Sequence, residues 1–423
     1  MPNILFITPY YFPEKGAAAV RITETASRLV KRGHTVVVLT TLPNYPTGIV
    51  PPEYQVPLPH EEMLDGVQVI RVWSYISPSK SFLHRILAQL SFGCLSPFLG
   101  RTRIGHPDII IVESHPLFNA IAGRLLAWRK RCPFIFTVSD LWPESAVQLG
   151  VLRNRLLIRL AEWLEWSSYK RAALIWALSR GIRDQIVERG IPQERVMLLT
   201  NGANLSLFTP IPQTQARAEL GWEDRFTILY AGTYGLSHKL STVLEAAECL
   251  REYTDIQFIL VGDGVDKASL LAQAQERALA NVTFLDAQPH ELMPKVLAAA
   301  DICLVPMRKL PLFEGRLPLK MFEIMASARP FVLGVEGEAR QLAVQEARAA
   351  LAVEPENVRD LVDSILYLYK HPQERELLGQ RGRNFVEAKY DREQLTAILD
   401  ASVANLLGKQ NVVSNTPTFV NQN

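Results

Sequence analysis

A chain of 423 residues is long for one domain of about 100–200 residues and suits two. With 48% hydrophobic and 21% charged residues it can bury real cores, which excludes fibrous and disordered classes. The 45 Lys and Arg against 43 Asp and Glu leave a net charge of +2, too little for a protein that binds nucleic acid by neutralising phosphates.

The first apolar run, Ile4 to Ile7, reads as a strand and not as a cationic export leader. Further runs follow at Thr35-Val36-Val37-Val38-Leu39, Ile109-Ile110-Ile111-Val112 and Phe134-Ile135-Phe136, with a helical pattern from Ile22 to Lys31. Strands this continuously apolar are covered on both faces, as in parallel α/β sheets. The same grammar restarts at Phe226 to Tyr230 and continues through Phe258 to Val261, Val282 to Phe284, Ile302 to Val305 and Phe331 to Leu333, which predicts a second α/β lobe. Between them, Asn204 to Gly221 carries Pro210 and Pro212 with weak periodicity, so the boundary falls near Pro210. A last helix is expected from about Asp391 to Leu407, followed by a polar, disordered tail over 409–423. No apolar stretch reaches the ~20 residues of a spanning helix: His84, Arg85 and Gln89 break one, Lys295 and Asp301 another. Cys94, Cys132, Cys249 and Cys303 are scattered, without zinc-site spacing or disulfide density, which fits a reducing cytoplasm.

One segment departs from this rhythm. From Ser74 to Pro107 there is no acidic residue, while Lys80, His84, Arg85, Arg101 and Arg103 flank Phe82, Leu83, Ile86, Leu87, Leu90 and Phe92. The composition suits either an amphipathic element on an anionic membrane surface or a helix packed on the first lobe. Arg153, Arg155, Arg159, Trp163, Trp166, Lys170 and Arg171 form a second basic, aromatic stretch, tempered by Glu162 and Glu165.

Phosphate-loop ATPase, zincin and serine-hydrolase motifs are absent. Polar and glycine positions instead follow the predicted strands, where open α/β sheets place ligands. Gly16, with Ala17 to Ala19, either lets backbone amides approach a phosphate or makes a tight connection. The stretches Glu113-Ser114-His115-Pro116 and Ser139-Asp140-Leu141-Trp142-Pro143-Glu144 bring His115 and Asp140 to the expected crevice, where they could orient an acceptor hydroxyl. In the second lobe, Gly232 to Lys239 is a glycine-bearing loop with a cation near a helix start, and Gly262-Asp263-Gly264 closes the next strand. The most specific stretch is Glu314 to Glu323: Pro318 marks a first helical turn, and Lys320 and Glu323, three apart, share one face. Arg316 and Lys320 suit phosphates, and Glu323 suits ribose hydroxyls.

In order, Phe12-Pro13-Glu14, Lys31 to Val36, Thr41 to Pro46, Asp140 to Glu144, Asn201 to Asn204, Val261 to Gly264 and Pro318 to Ala326 resemble the retaining glycosyltransferases of family 4. The likeness is greatest to the bacterial exopolysaccharide and O-antigen branch with its L-fucosamine and colanic-acid type transferases, and it runs to about Asn405. It implies a GT-B fold: two Rossmann-like parallel-sheet lobes facing across a cleft. Residues 1–209 would form the acceptor-side lobe, 210–389 the nucleotide-sugar lobe, and 390–408 a helix crossing back. It implies transfer with retention, no metal or cofactor besides the nucleotide-sugar substrate, and a leaving-group oxygen that helps accept the acceptor's proton. Gly232, Lys239, Gly262, Gly264, Arg316, Lys320 and Glu323, with Gly16, would border the donor; His115, Asp140 and Glu314 would border the reaction. The sequence departs from the family pattern twice. The usual glutamate pair is eight apart, whereas Gly315 lies at that distance from Glu323 and Glu314 lies nine away; Thr233 and His238 stand where the family's Arg and Lys are expected.

The expected activity is sugar transfer from a UDP-linked donor to a lipid-linked or oligosaccharide acceptor, in polysaccharide or lipopolysaccharide biosynthesis. The expected location is the cytoplasm, peripheral on the inner face of the plasma membrane, with no nucleic-acid partner. Alternatives are a nucleotide-sugar epimerase or soluble disaccharide synthase of the same fold, and a non-catalytic sugar-nucleotide-binding partner of an assembly complex.

Overall fold

The computed structural model describes residues 1–408 apart from 46, 80, 149 and 151. The tail over 409–423, Lys80 and Pro46 therefore lie outside the described residues.

The first sheet contains β1 (Asn3–Ile7), β2 (Thr35–Thr41), β3 (His60–Leu64), β4 (Val67–Val72), β5 (Ile109–Glu113), β6 (Phe134–Val138), β7 (Leu174–Ala177) and β8 (Val196–Leu198). Their order is β3-β4-β2-β1-β5-β6-β7-β8, parallel but for the β3/β4 hairpin. That hairpin turns on Asp65 and Gly66, both at positive φ (50° and 78°), the backbone a two-residue turn requires. The second sheet contains β9 (Phe226–Ala231), β10 (Ile256–Val261), β11 (Val282–Leu285), β12 (Ile302–Pro306), β13 (Phe331–Gly334) and β14 (Ala350–Ala352). It is parallel in the order β11-β10-β9-β12-β13-β14. Two parallel α/β lobes of this kind make the GT-B architecture.

Strand residues alternate between two buried layers, as a period of two demands. In the first lobe Ile4 and Phe6 face Ile22, Ala26 and Leu29 of the helix Ala17–Lys31. Leu5, Ile7, Ile110 and Val112 face Phe92, Ala120 and Leu126 on the opposite side. On that side the helices Phe82–Leu99, Asn119–Lys130 and Arg155–Arg171 lie next to one another. A Cβ on Gly93 would come within 2.3 Å of the Phe118 carbonyl, so only glycine permits the first of these contacts.

The last helix, Arg392–Leu406, leaves the second lobe and packs on Ala17–Lys31, with Leu399 and Val403 fully buried there. In both sheets the strand order reverses beside the first strand of the lobe, at β1/β5 and at β9/β12. Ligand crevices of open α/β sheets form at such switch points, and the loops after β1, β5, β9 and β12 meet there.

Candidate active site

The second lobe contributes the helix Leu319–Ala326, which follows the loop after β12. Pro318 is its cap and not its first residue; Lys320 lies in the first turn and Glu323 one turn on, on the same face. Both line a small pocket with Ala231, Met293 and Leu297. Lys320 Nζ is buried and has no hydrogen-bond partner among the described residues. It lies 4.0 Å from the centre of the Tyr230 ring, a cation–π contact that offsets only part of the dehydration. Burial therefore pulls the ammonium down to about 7, with Glu323 opposing. The ammonium is also 2.5 Å from where a Cβ on Gly232 would stand, and Gly232 has φ 143°. A side chain at Gly232 would close the space in front of the cation.

Glu323 is held above the usual carboxylate range by burial, against the pull of His290, Arg392 and Lys320. His238, at the family-variant position of the loop after β9, is pushed down to about 3 by burial and by the neighbouring Lys320 and Arg316 cations. It is a neutral ring beside Lys320 and adds no second charge. Gly262 and Gly264 support the loop from behind: a Cβ on Gly262 would fall 1.9 Å from the Gly232 carbonyl, and one on Gly264 2.3 Å from that of Tyr234. Lys239 has φ 47° and lines a different pocket, with Thr242, Pro306, Glu354 and Asn357, which contains neither Lys320 nor Glu323.

The first lobe supplies a more heavily paired wall. Gly16 caps the helix Ala17–Lys31 with φ −73°, a conformation any residue adopts. A Cβ there would meet only Tyr45, at 3.7 Å, so the protein's own packing does not require this glycine. Behind it, Arg21 and Glu113 form an ion pair of 2.5 Å, 4% and 2% exposed. Glu113 also accepts Ser139 Oγ at 2.9 Å, tying the ends of β5 and β6 together. His115 stacks on Tyr10 with ring centres 6.2 Å apart; dehydration in the cleft lowers its pKa, opposed by Asp140 and Glu113.

Several contacts span the cleft. Asp140 pairs with Arg316, so the sequence-predicted acid of one lobe and phosphate cation of the other meet directly. Lys15 Nζ donates to the Ala287 carbonyl at 3.0 Å, and Asn201 Nδ2 to that of Leu317 at 3.1 Å. The Glu338 carboxylate accepts the Arg180 and Gly181 amides, each at 2.9 Å, at the start of the helix Arg180–Glu188. His290 lies between Glu24 of the first lobe and Glu323 of the second.

Of the residues selected from sequence, the structure brings His115, Asp140, Arg316, Gly232, Lys320 and Glu323 to the facing strand ends, with Gly16 on the first-lobe rim. Glu314 is exposed, and it is held through its backbone: its carbonyl accepts the Glu338 amide at 2.7 Å and its amide donates to the Pro311 carbonyl at 3.1 Å. Sequence reading missed Glu14, His290, Tyr10 and Tyr45. Glu14 Oε1 accepts the Asn44 and Tyr45 amides at 3.0 and 3.1 Å, which binds the Phe12-Pro13-Glu14 and Asn44-Tyr45 motifs into one unit. Burial pushes Glu14 up to about 7. The co-occurrence of those two motifs was the one available signal.

Comparison with known proteins gives two successive matches, to the glycosyl transferase 4-like domain over residues 16–202 and to glycosyl transferases group 1 over residues 212–385. A putative colanic acid biosynthesis glycosyl transferase, WcaI of Escherichia coli K12, is 29% identical over 398 residues, 91% of this chain and 95% of its own. Among solved structures, a sucrose-phosphate synthase from Thermosynechococcus elongatus superposes with TM-score 0.74 at 20% identity, covering 97% of this chain and all of that one. HepE of Anabaena, solved in complex with UDP-glucose, gives TM-score 0.71 at 16% identity over 96% of this chain and all of its own. These two likenesses carry the fold. The two family matches together span both lobes, and the chain belongs to the group 1 glycosyl transferases, retaining enzymes that move sugar from a nucleotide-sugar.

Proposed function

We propose that this enzyme transfers a sugar from a UDP-linked donor to a lipid-linked glycan precursor in cell-surface polysaccharide biosynthesis, at the cytoplasmic face of the membrane. The observation that carries the donor site is the buried Lys320 ammonium without a hydrogen-bond partner. A protein leaves a cation in that condition at a cost unless an anion arrives to repay it. In this reading Lys320 neutralises the leaving diphosphate, and Glu323 accepts hydrogen bonds from the ribose hydroxyls. Arg316, held by Asp140 in the free protein, adds charge on the diphosphate side. The glycosidic bond to the diphosphate breaks, the acceptor oxygen bonds the anomeric carbon on the same face, and the acceptor's proton passes to a diphosphate oxygen. His115 and Asp140 border the acceptor hydroxyl and orient it.

UDP is favoured by the structural neighbour solved with UDP-glucose, and the polysaccharide context by the WcaI relative. Membrane attachment is supported by one surface. Leu156, Leu157, Leu160 and Trp163 are 48–66% exposed in a single stripe of the helix Arg155–Arg171, with Arg155 and Arg159 beside them. Nearby, Trp128 is 76% exposed, and Leu83, Leu87 and Phe98 of the helix Phe82–Leu99 are exposed as well. Among the described residues no helix is long and apolar enough to cross a membrane, so this face would rest on lipid.

The test is calorimetric titration with UDP, GDP and ADP of wild type, Lys320→Ala and Glu323→Ala, followed by transfer assays with lipid-linked and soluble acceptors. Micromolar binding of UDP that both substitutions weaken, with transfer to lipid-linked acceptor, is the expected result. Transfer to soluble sugars alone would favour the disaccharide-synthase alternative, and absence of nucleotide binding would remove the donor-site reading.

A further inference from the structure

The loops after β1 and β2 carry two tyrosines, Tyr10 and Tyr45, whose rings meet at 69° with 5.8 Å between centres. Tyr10 also stacks on His115, 6.2 Å away and within 25° of parallel. The three rings form a corner on the first-lobe wall. At one end His115 feels the charges of both Asp140 and Arg316. At the other the Tyr45 ring passes 3.7 Å from where a Cβ on Gly16 would stand, and its hydroxyl meets the Thr233 side chain of the second lobe.

The backbone beneath these rings is fixed by buried charge. Arg71, 1% exposed, donates to the Phe12 carbonyl at 2.7 Å and to the Thr41 carbonyl at 3.2 Å, which joins the two loops. Glu14, also buried, joins them a second time through the Asn44 and Tyr45 amides. The Tyr10 amide donates to Thr8 Oγ1 and the Phe12 amide to Thr23 Oγ1, each at 3.1 Å. Burying two charges carries a dehydration cost, here offset by bonds to loops whose own rings stay within reach of solvent. Tyr45 is 43% exposed, His115 is exposed and Tyr10 half-buried. Rigid backbone under reachable side chains is how a binding surface is built. This surface is concave, because the surrounding protein still dehydrates the rings enough to lower the pKa of His115 and raise that of Tyr45.

We propose that the Tyr10–Tyr45 corner is a subsite for the acceptor's sugar, on which a pyranose ring stacks and so presents its hydroxyl to His115 and Asp140. This rests on the reading above that the acceptor is a glycan. A pyranose has two kinds of surface. Its faces present C–H bonds, apolar and weakly positive, which pack on the negative face of an aromatic ring. Its rim presents hydroxyls, which need polar partners, and His115 and Asp140 stand at that end of the corner. Two rings at a wide angle touch a sugar on a face and on an edge, which fixes its rotation as well as its distance.

The probes are farnesyl diphosphate carrying glucose, galactose or N-acetylglucosamine, with bare farnesyl diphosphate as the reference, each titrated into UDP-saturated protein. The gain in affinity over the bare lipid is the sugar's own contribution, free of the tail and the diphosphate. In wild type at least one sugar should bind about tenfold more tightly than the bare lipid. Tyr45→Ala and Tyr10→Ala should each cut that gain to about twofold or less. Tyr45→Phe, which keeps the ring, should retain it, and UDP should bind every variant as it binds wild type, which also shows that the variants are folded. Binding of the bare lipid with no gain from any sugar, or a gain that survives Tyr45→Ala, overturns the proposal. An equal loss in Tyr45→Phe overturns it by assigning the effect to the hydroxyl and Thr233, and a loss of UDP affinity in Tyr45→Ala does so by giving the ring to the donor. Where no farnesyl lipid binds wild type, methyl glycosides of the same sugars decide. Binding that Tyr45→Ala abolishes keeps the subsite and removes only the lipid-linked acceptor, and absence of binding removes both. Failure of wild type to bind UDP falls on the donor-site reading alone, and the same titrations then test the subsite without UDP.

Discussion

The two walls of the cleft handle buried charge in opposite ways. On the first-lobe wall Arg21 is matched by Glu113, Glu24 by Arg392, and Arg71 by Glu62, the last pair 2.5 Å apart with Arg71 only 1% exposed. On the second-lobe wall Lys320 is buried against an aromatic ring with no hydrogen-bond partner. Matched charges of this kind fix loops, whereas an unmatched one is held in reserve for a ligand. If that contrast is right, removing a charge from the first wall should damage the fold, and removing the charge from the second should improve it.

The largest effect is expected at Glu113. Glu113→Ala strands a nearly buried guanidinium, which should cost about 3–5 kcal/mol in urea unfolding. Adding Arg21→Met should return much of it. Lys320→Met should do the reverse, stabilising the free protein by roughly 1–3 kcal/mol while weakening UDP binding by at least about 100-fold. The sign follows from linkage: Lys320 is at about 7 in the fold against 10.5 unfolded, so wild type loses stability as pH falls from 10.5 toward 7. The margin by which Lys320→Met exceeds wild type should therefore grow as pH falls and be largest at the acid end of that window. If Lys320→Met lowers the melting temperature at pH 7, the contrast between the walls collapses.

Asp140 sharpens the comparison because its partner, Arg316, lies on the opposite wall. It should behave as neither kind. Asp140→Ala is expected to leave unfolding within about 1 kcal/mol of wild type and to lower turnover by about 10–100-fold. Donor affinity should be unchanged or slightly raised as Arg316 is freed for the diphosphate. A KM-against-kcat split in single-turnover transfer assays checks it.

The same contrast marks what the sequence could convey. Strands buried on both faces announced themselves, since Ile109 to Val112 or Phe258 to Val261 admit little else. Short strands did not: β7, β8 and β14 span four, three and three residues, too few for a period to register. The β3/β4 hairpin had a readable signal in Asp65-Gly66, but the half-exposed strand His60–Leu64 beside it is polar enough to pass for a loop. In the site, Lys320 and Glu323 were legible because one helical turn places both by spacing alone. Lys239 was drawn in by the same logic and lines another pocket, with Thr242, Glu354 and Asn357. Gly262 and Gly264 were read as ligand contacts, yet the backbone of the loop Gly232 to Tyr234 already demands their lack of side chains. The ion pairs that cross between lobes, Asp140 with Arg316 and Glu24 with His290, depend on how two separately folded sheets meet, which no local pattern encodes.

The smallest effect concerns the outer surface of the first lobe and asks whether its charges, unlike those of the cleft, act through a partner outside the chain. Arg159 is exposed beside the apolar stripe of Leu156, Leu160 and Trp163, and Glu162 on the same helix offsets part of its charge. A cation near an anionic bilayer contributes about 1 kcal/mol, which decays within a Debye length. Arg159→Gln should therefore weaken binding to vesicles containing phosphatidylglycerol by about fivefold at low salt, with little change at 0.5 M salt or on phosphatidylcholine alone. Stability and UDP affinity should not move, because among the described residues no ion pair involving Arg159 is found. Trp163→Ser would lower binding to both vesicle types, since the ring contributes by burial and not by charge. Equal loss on anionic and neutral vesicles from Arg159→Gln would mean that the basic flank packs against something other than lipid charge.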